Sequence, residues 1–177
     1  MLKIIGWIAV VLVMVIVALV AYASTKPDRF RVARSLTIAA PPDKLFPLIN
    51  DLRGFNRWNP YERKDPGTGT YAGTPAGVGT SYAWDSTKVG KGAMTITDVT
   101  APGRVVMRID FEKPFKALNT ATFTITPKDG GSKVTWAMEG PALLVTKIMD
   151  VVIGMDKMVG NDFAEGLRNL KELAEKP

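Results

Sequence analysis

The sequence predicts an α+β fold in which a curved antiparallel sheet wraps around a long C-terminal helix, preceded by one transmembrane helix. Three observations support this prediction. An apolar run begins the chain, several segments between residues 30 and 140 alternate with a period of two, and the residues from 148 onward have helical periodicity. A period of two is typical of half-buried strands, and intervals of three and four are typical of an amphipathic helix.

The first element is the run from Ile4 to Ala23, which contains no charged residue. A helix of this length spans about 30 Å, the thickness of a bilayer core. We therefore expect residues 1–25 to be an N-terminal membrane anchor and residues 26–177 to be the folded domain. The alternative is a cleaved signal peptide, because Ala21-Tyr22-Ala23 has the small-x-small form that signal peptidase cuts. The run is longer than the apolar part of a typical signal peptide, which favours a retained anchor.

The charges around the anchor do not settle which side of the membrane the domain occupies. Lys3 precedes the apolar run, whereas Lys26, Arg29, Arg31 and Arg34 follow it. The positive-inside rule then places the domain in the cytoplasm. A cleavage-like end to the apolar run favours export instead, so both sides stay open.

The domain begins with a strand and short helices. Residues 30–39 alternate between apolar and polar, apart from Arg34 on the apolar side. Pro41-Pro42-Asp43 starts a short helix that Pro47 bends or shortens, because proline cannot donate within a helix. A second short helix or turn is predicted at residues 55–58.

About six strands follow. Residues 66–92 are rich in Gly, Thr, Ser and Pro and contain two short β-like pieces, which predicts hairpins. Later segments alternate more clearly and are separated by turn residues, so the sheet is predicted to be antiparallel. The predicted strands lie at residues 69–72, 80–84, 93–99, 104–111, 118–126 and 133–139.

A long amphipathic helix is predicted at the C-terminus. Gly154 and Gly160 fall inside it, and they predict a break or a close packing contact. Its apolar residues recur at intervals of three or four: Ile148, Val152, Met155, Val159, Phe163, Leu167 and Leu170.

The composition excludes several kinds of chemistry. The chain has 23 Lys and Arg, 17 Asp and Glu, and no His or Cys. Serine-histidine triads, cysteine nucleophiles, zinc sites and haem or iron–sulfur ligation are therefore excluded. No metal site and no cofactor are predicted, since Asp150, Asp156 and Asp162 do not share one helical face. A net charge of +6 spread along the chain argues against nucleic acid as a partner, and no oligomeric state is predicted.

Several short motifs suggest a family. They are residues 38–46 (IAAPPDKLF), Asn50-Asp51, Phe55, residues 57–62 (RWNPYE), residues 90–94 (GKGAM), Lys113-Pro114-Phe115 and residues 134–140 (VTWAMEG). In this order and spacing they resemble the SRPBCC superfamily (START-like), in its polyketide cyclase/dehydrase-like branch. The resemblance covers about residues 30–175 and implies the helix-grip fold.

The resemblance implies an apolar ligand, such as a lipid, polyketide or isoprenoid, held in a cavity between the sheet and the C-terminal helix. Some relatives are enzymes and many are carriers. The iron chemistry of the Rieske-dioxygenase branch is excluded because this chain has no His. No polar constellation matches a cyclase or aromatase site residue by residue.

The candidate ligand-binding residues are large aromatic and methionine side chains predicted to face inward. Methionine adapts its shape to apolar ligands, and aromatic rings supply rigid walls. The alternative for each one is a place in the packed core. The candidates are Trp58, Tyr82, Trp84, Met94, Met107, Phe111, Phe123, Trp136, Met138 and Met155, with Met149 and Phe163 as further members of the wider inward-facing set.

The candidate polar groups are carboxylates, for which the sequence favours solvated or structural roles. Acid or base catalysis would require a buried carboxylate with a raised pKa. The alternation of the strands directs Asp110, Glu112 and Glu139 toward solvent. Glu62 and Asp85 are the other two candidate carboxylates.

The leading hypothesis is a membrane-anchored domain that binds an apolar small molecule or lipid. An enzyme acting on an apolar substrate is the second hypothesis, with Tyr82, Asp85 and Arg34 as its candidate groups. The third is a membrane-associated protein-interaction module with a collapsed cavity.

Overall fold

The computed structural model describes residues 2–176, which form seven helices and seven strands. The helices are α1 (Leu2–Ser24), α2 (Pro42–Leu45), α3 (Pro47–Asn50), α4 (Leu52–Asn56), α5 (Pro60–Lys64), α6 (Leu144–Val152) and α7 (Met155–Ala174). The strands are β1 (Arg29–Ile38), β2 (Gly69–Ala72), β3 (Ser81–Ser86), β4 (Gly90–Thr100), β5 (Arg104–Lys113), β6 (Ala117–Lys128) and β7 (Gly131–Pro141). The predicted fold class is confirmed.

The seven strands form one antiparallel sheet in the order β1-β7-β6-β5-β4-β3-β2. Consecutive strands from β2 to β7 are neighbours, and β1 completes the sheet beside β7. Register shifts interrupt β4 between Lys91 and Gly92 and between Ile96 and Asp98. Such irregularities bend a strand and increase its twist, so they help to curve the sheet around α7.

The two ends of the sheet differ in how they are filled. At the end where β1 finishes and β7 begins, the C-terminal half of α7 packs directly on the strands, and Leu167 and Leu170 are fully buried. We call this the packed end. Its other large buried side chains are Ile38, Leu45, Ile49, Ile96, Val105, Ile125 and Val134. The opposite end, where β1 begins and β7 finishes, is the open end.

The C-terminal helical segment is divided in two at Gly154, which has a positive φ of 86°. Glycine adopts this left-handed conformation without the steric cost that a side chain imposes. The amides of Ile153 and Gly154 donate to the Met149 carbonyl and close α6, and α7 starts after Gly154. The sequence left open whether Gly154 and Gly160 mark a break or a close packing contact. Gly154 marks a break, and Gly160 marks a close contact, which is described below.

Four short helices replace the two that the sequence predicts between β1 and β2. Pro47 begins α3 at its first position. Asp51 accepts a hydrogen bond from the Arg53 amide and begins α4, and Asn59 does the same for Tyr61 and begins α5. Each cap satisfies an amide that lacks a helical partner, so the segment forms single turns with separate directions.

The first helix lies outside the core. It is long and apolar enough to cross a membrane, and its most apolar stretch is not buried in the domain. Its last turns pack on α6, where Ala23 is buried. Just after the helix, Lys26 pairs with Asp150 at 3.4 Å. Lys147 of α6 donates to the Asp28 carboxylate at 2.6 Å, and this hydrogen bond lowers the pKa of that carboxyl group.

Gly166 sets the distance between α7 and the sheet. A Cβ atom there would lie 2.7 Å from Cζ3 of Trp136 and 3.0 Å from Cδ of Pro60. For Gly166→Ala we expect overpacking to cost about 1–3 kcal/mol, against about 1 kcal/mol gained in helix propensity. The free energy of unfolding of the full chain in detergent, measured with urea, should therefore fall by up to about 2 kcal/mol. Glu165→Ala, at the exposed neighbouring position, is the control, and a Gly166→Ala variant more stable than the parent would contradict the expectation.

Candidate ligand-binding cavity

A cavity of about 300 Å³ occupies the open end, between the sheet, α5, α6 and the first turns of α7. Three inward-facing rows of the sheet form its wall, as the strand register shows. They are Phe30, Asn119, Ile109, Met94 and Tyr82; then Met138, Ala121 and Met107; and finally Ala117, Phe111 and Trp84. The wall is therefore built almost wholly of apolar side chains.

Glycines make room for two aromatic rings of the wall. A Cβ atom at Gly69 would lie 2.1 Å from Cζ of Tyr82, and one at Gly92 would lie 2.8 Å from Cζ2 of Trp84. Because these glycines carry no side chain, each ring can approach the backbone of a neighbouring strand closely. The two rings stack at an interplanar angle of 21°, which extends the apolar wall across β3.

An aromatic cluster separates the cavity from the packed end. Trp136 stacks on Phe163 with ring centroids 4.1 Å apart, and Phe123 lies 5.0 Å from Trp136. Phe55 and Trp58 meet edge to face at 4.8 Å. We call these five residues the aromatic floor. Rigid rings in edge-to-face and stacked contact fill this layer completely, so the cavity ends there.

Nearly all the predicted binding residues line the cavity. Trp58 is the exception: it belongs to the aromatic floor but is fully buried and does not line the cavity, and its Nε1 donates to the Leu48 carbonyl at 2.8 Å. The lining residues among the predicted set are Tyr82, Trp84, Met94, Met107, Phe111, Phe123, Trp136, Met138 and Met155, together with Met149 and Phe163 of the wider set.

Methionine is concentrated around the cavity. Six of the eight methionines line it, and the other two, Met1 and Met14, lie in the N-terminal segment. The six are Met94, Met107, Met138, Met149, Met155 and Met158. Their flexible side chains allow the cavity to adjust to ligands of different shape.

The sequence reasoning missed several lining residues. Ile109 has the same strand parity as Met107 and Phe111 and could have been found from that signal. Phe115 lies in the connection between β5 and β6, and Tyr61 lies on α5. Neither segment has a periodicity that tells which way a side chain points.

One polar pair interrupts the apolar wall. The Tyr82 hydroxyl donates to Oε2 of Glu62, and the Gly67 amide donates to Oε1 at 2.9 Å. Burial, followed by the hydrogen bond to Glu62, raises the pKa of Tyr82 above its ordinary value. The sequence favoured a solvated or structural role for Glu62, whereas its half-buried carboxylate lies in the cavity wall.

Two buried polar atoms of cavity-lining residues have no hydrogen-bond partner within the described part of the chain. They are Oδ1 of Asn119 and Nε1 of Trp136. An unpaired buried polar atom costs about 1–3 kcal/mol. Asn119 and Trp136 therefore add hydrogen-bonding capacity to a wall that is otherwise apolar.

The remaining polar candidates are exposed ion pairs on the outer face. Asp85 pairs with Lys91 at 3.2 Å, and Asp110 pairs with Arg108 at 2.9 Å. Glu112 and Glu139 are exposed as well. The alternation of the strands directs these carboxylates away from the cavity.

Arg34 of β1 has a structural role, because it binds the start of α7. Its Nη1 and Nη2 atoms donate to the two carboxylate oxygens of Asp156, each at 2.8 Å, and Nη2 also donates to the Asp156 carbonyl at 3.0 Å. A Cβ atom at Gly160 would lie 2.1 Å from Nη2, so only glycine leaves room for the guanidinium. Arg34 thus fixes the first turn of α7 on β1, and it does not line the cavity.

Comparison with known proteins agrees with this architecture. Residues 29–175 match the family model described as polyketide cyclase / dehydrase and lipid transport. The chain belongs to this family. Its fold is therefore the SRPBCC type, with the helix-grip arrangement of sheet and C-terminal helix. No functionally curated protein matches the chain.

Solved structures share this fold at low sequence identity. A protein from Chromobacterium violaceum has a TM-score of 0.59 and 17% identity, over 86% of this chain and 100% of the other. A protein from Rhizobium leguminosarum has a TM-score of 0.60 and 11% identity, over 84% and 96%. DynU16, from the dynemicin biosynthetic locus, has a TM-score of 0.61 and 15% identity, over 85% of this chain and 48% of DynU16. These likenesses show the fold alone.

The environment of two tyrosines that line the cavity predicts that the stability of the protein depends on pH. Burial, then the Asp162 carboxylate, raises the pKa of Tyr61, and burial with Glu62 does the same for Tyr82. Unfolded tyrosine titrates near pH 10, so the folded state holds these protons more tightly. The stability they contribute is present below about pH 10 and is lost as the pH rises above that value.

Tyrosinate absorbance and urea unfolding between pH 8 and pH 12 check this expectation. The double variant Tyr61→Phe, Tyr82→Phe should show a smaller loss of stability above about pH 10 than the parent. Its absorbance change near pH 10 should equal that of the folded parent. A parent whose Tyr61 and Tyr82 titrate near pH 10 while it remains folded would contradict the environment described here.

Proposed function

We propose that this protein is a membrane-anchored domain that binds an apolar small molecule or lipid in the cavity at its open end. The observation that carries the proposal is a wall of methionine and aromatic side chains around about 300 Å³ of space inside a folded domain. Protein interiors are normally packed to the density of organic crystals. A hollow of this size, lined by apolar groups, is typical of a ligand site.

The exposed first helix supports a membrane location for the cavity. An apolar ligand is concentrated in a bilayer because water disfavours its surface. With α1 in the membrane, the contacts of Lys26 with Asp150 and of Lys147 with Asp28 would hold α6 and the open end beside it. The predicted roles of α1 as an anchor, and of residues 26–177 as the binding domain, belong to this proposal.

The polar groups of the wall specify the ligand more closely. Each carboxylate oxygen of Glu62 already accepts one hydrogen bond, and each can accept a second one from a ligand. A largely apolar molecule with one hydroxyl group matches this wall, because its chain or rings would contact the methionines while its hydroxyl donates to Glu62.

Photo-crosslinking of the full chain in phosphatidylcholine nanodiscs tests the binding proposal. A long-chain alcohol that carries a diazirine is the probe, and unlabelled alcohol is the competitor. We expect saturable crosslinks in the wall, for example at Met94 and Met107, and non-saturable crosslinks in α1, which contacts lipid.

Ala117→Trp fills the space directly, because Ala117 lines the cavity and is partly exposed, so that the larger ring can be accommodated. We expect this variant to abolish the wall crosslinks and to leave those in α1. Val78→Trp is the matched control, since Val78 is exposed and lies outside the cavity. Equal crosslinking of the wall in both variants, or no saturable crosslinking in the parent, would contradict ligand binding in this cavity.

Glu62 gives a further prediction on the same probe. Glu62→Gln removes the charge and keeps the size of the side chain. A hydrogen bond to a charged group is worth about 1.5–3 kcal/mol, so we expect the competitor alcohol to bind about tenfold more weakly or worse. The control is Glu139→Gln on the outer face. The matching hydrocarbon, which has no hydroxyl, should bind equally to the parent and to both variants, and an equal loss for both competitors would refute the assignment.

The Glu62–Tyr82 pair favours a second candidate, a cyclase or dehydrase acting on an apolar polyketide-like substrate. Tyr82 keeps its proton at neutral pH and can donate to a carbonyl, while Glu62 can accept a proton from an adjacent carbon. Mass spectrometry of a short poly-β-ketone thioester incubated with the protein checks this candidate through the loss of one water. Turnover in the parent that is absent in Glu62→Gln would support the enzyme, whereas equal background rates would leave only binding.

The third hypothesis, an interaction module with a collapsed interior, is not proposed. It required a fully packed core, and the open end of this domain encloses a cavity instead.

A further inference from the structure

The exposed large apolar side chains of the domain are concentrated at the open end. Eight such residues lie outside α1 within the described chain, and seven of them lie at the open end. Val78, at the packed end, is the eighth. The seven are Phe115, Leu118, Leu143, Leu144, Val152, Ile153 and Met158. We call this group the apolar rim.

The apolar rim is continuous with the mouth. Phe115 and Met158 belong to the rim and also line the cavity. Thr146 and Met149 of α6 line the cavity, while Leu144 and Val152 of the same helix are exposed. One short helix therefore presents apolar side chains both to the cavity and to the surroundings of the protein.

Contacts with α1 determine the depth of the apolar rim relative to a bilayer that α1 spans. Helix α6 packs against the last turns of α1, where Ala23 is buried and Leu19 and Val20 are half-buried. The Ala142 amide donates to the Asp28 carbonyl at 2.8 Å, which ties the start of α6 to the residues that follow α1. If α1 spans a bilayer, α6 therefore lies where α1 leaves the hydrocarbon layer.

The charges beside the rim suit a lipid surface. Phe115 is exposed between Lys113 and Lys116, and Lys157 is exposed beside Met158. Aromatic side chains next to basic ones are enriched at the membrane interface, where the ring enters the acyl boundary and the ammonium group meets phosphate. Lys113, Lys116 and Lys157 thus place three exposed positive charges on the segments that carry the rim.

We infer that the apolar rim lies in the interfacial layer of the bilayer, so that the cavity mouth opens directly toward the acyl chains. An apolar molecule then passes from the membrane into the cavity without crossing water. This inference rests on the proposed membrane anchor and adds an orientation to it. We assign the bilayer as the partner of the rim because the rim continues the apolar surface of α1. A protein partner would have to share that position with lipid.

Depth measurement on the full chain tests the orientation. The chain has no cysteine, so single cysteines can be introduced without removing others. Spin labels are placed by Phe115→Cys, Val152→Cys, Val78→Cys and Val10→Cys, in vesicles of phosphatidylcholine with a minor fraction of phosphatidylglycerol. Collision with oxygen, which is concentrated in lipid, and with a water-soluble nickel complex reports the depth of each label.

We expect the labels at Phe115 and Val152 to favour oxygen over nickel, as the label at Val10 does in the middle of α1. The label at Val78 should favour nickel, because Val78 lies at the packed end. Labels at Phe115 and Val152 that are as accessible to nickel as the one at Val78 would overturn the inference while the Val10 label still reported an inserted anchor. A Val10 label that is accessible to nickel would instead overturn the anchor, and with it the proposed function.

Transfer kinetics supply a second, independent readout. The photoreactive alcohol is loaded into the vesicles, and the rate of crosslinking in the wall is followed. Val152→Ser combined with Ile153→Ser, at two rim residues that do not line the cavity, should slow this rate at least tenfold, with unchanged crosslinking after long equilibration. Val78→Ser is the control, and equal rates for the rim and control variants would also overturn the inference.

Discussion

The positive φ of Gly154 is the constraint on which the rest of this structure depends. A helix that continued through this position would run along the whole sheet and cover its open end. The break turns α6 away to pack on α1, and it lets α7 begin again over β1, where Arg34 holds Asp156. Beneath α7, the interior is packed from Phe163 toward the C-terminal end of the helix and hollow toward its N-terminal end. The cavity, its mouth and its position beside α1 all follow from that change of direction.

The chemistry of the wall combines adaptability with one polar pair. Six methionines and several aromatic rings surround the space, and the flexible methionines adapt to ligands of different shape. Glu62 and Tyr82 add a hydrogen-bonding pair on one side, supported by the Gly67 amide. A wall of this kind selects apolar molecules as a class and discriminates among them through a few polar groups: the Glu62–Tyr82 pair, Asn119 and Trp136. The same pair places a proton donor and an acceptor side by side in the cavity.

Much of the fold could be predicted because its signals are local. The alternation of Val105, Met107, Ile109 and Phe111 indicates a strand with one inward face, and the structure places all four in the core or the cavity wall. The site was less predictable. Trp58 and Trp136 are both large and both belong to the aromatic floor, yet Trp136 lines the cavity and Trp58 does not. Glu62 joins the wall because α5 turns toward β3, and the order of four single-turn helices does not reveal that direction.

By itself, the sequence determined the class of fold, the apolar first helix, the antiparallel strands and the exclusion of chemistry that needs histidine or cysteine. These features depend on composition and on periodicity within a single element, which act over a few residues. Only the tertiary structure decided where the interior is hollow, which carboxylate faces it and which end of the sheet lies beside α1. Those properties depend on how elements distant in the chain pack, and the short-range pattern of residues does not encode the gap that remains between them.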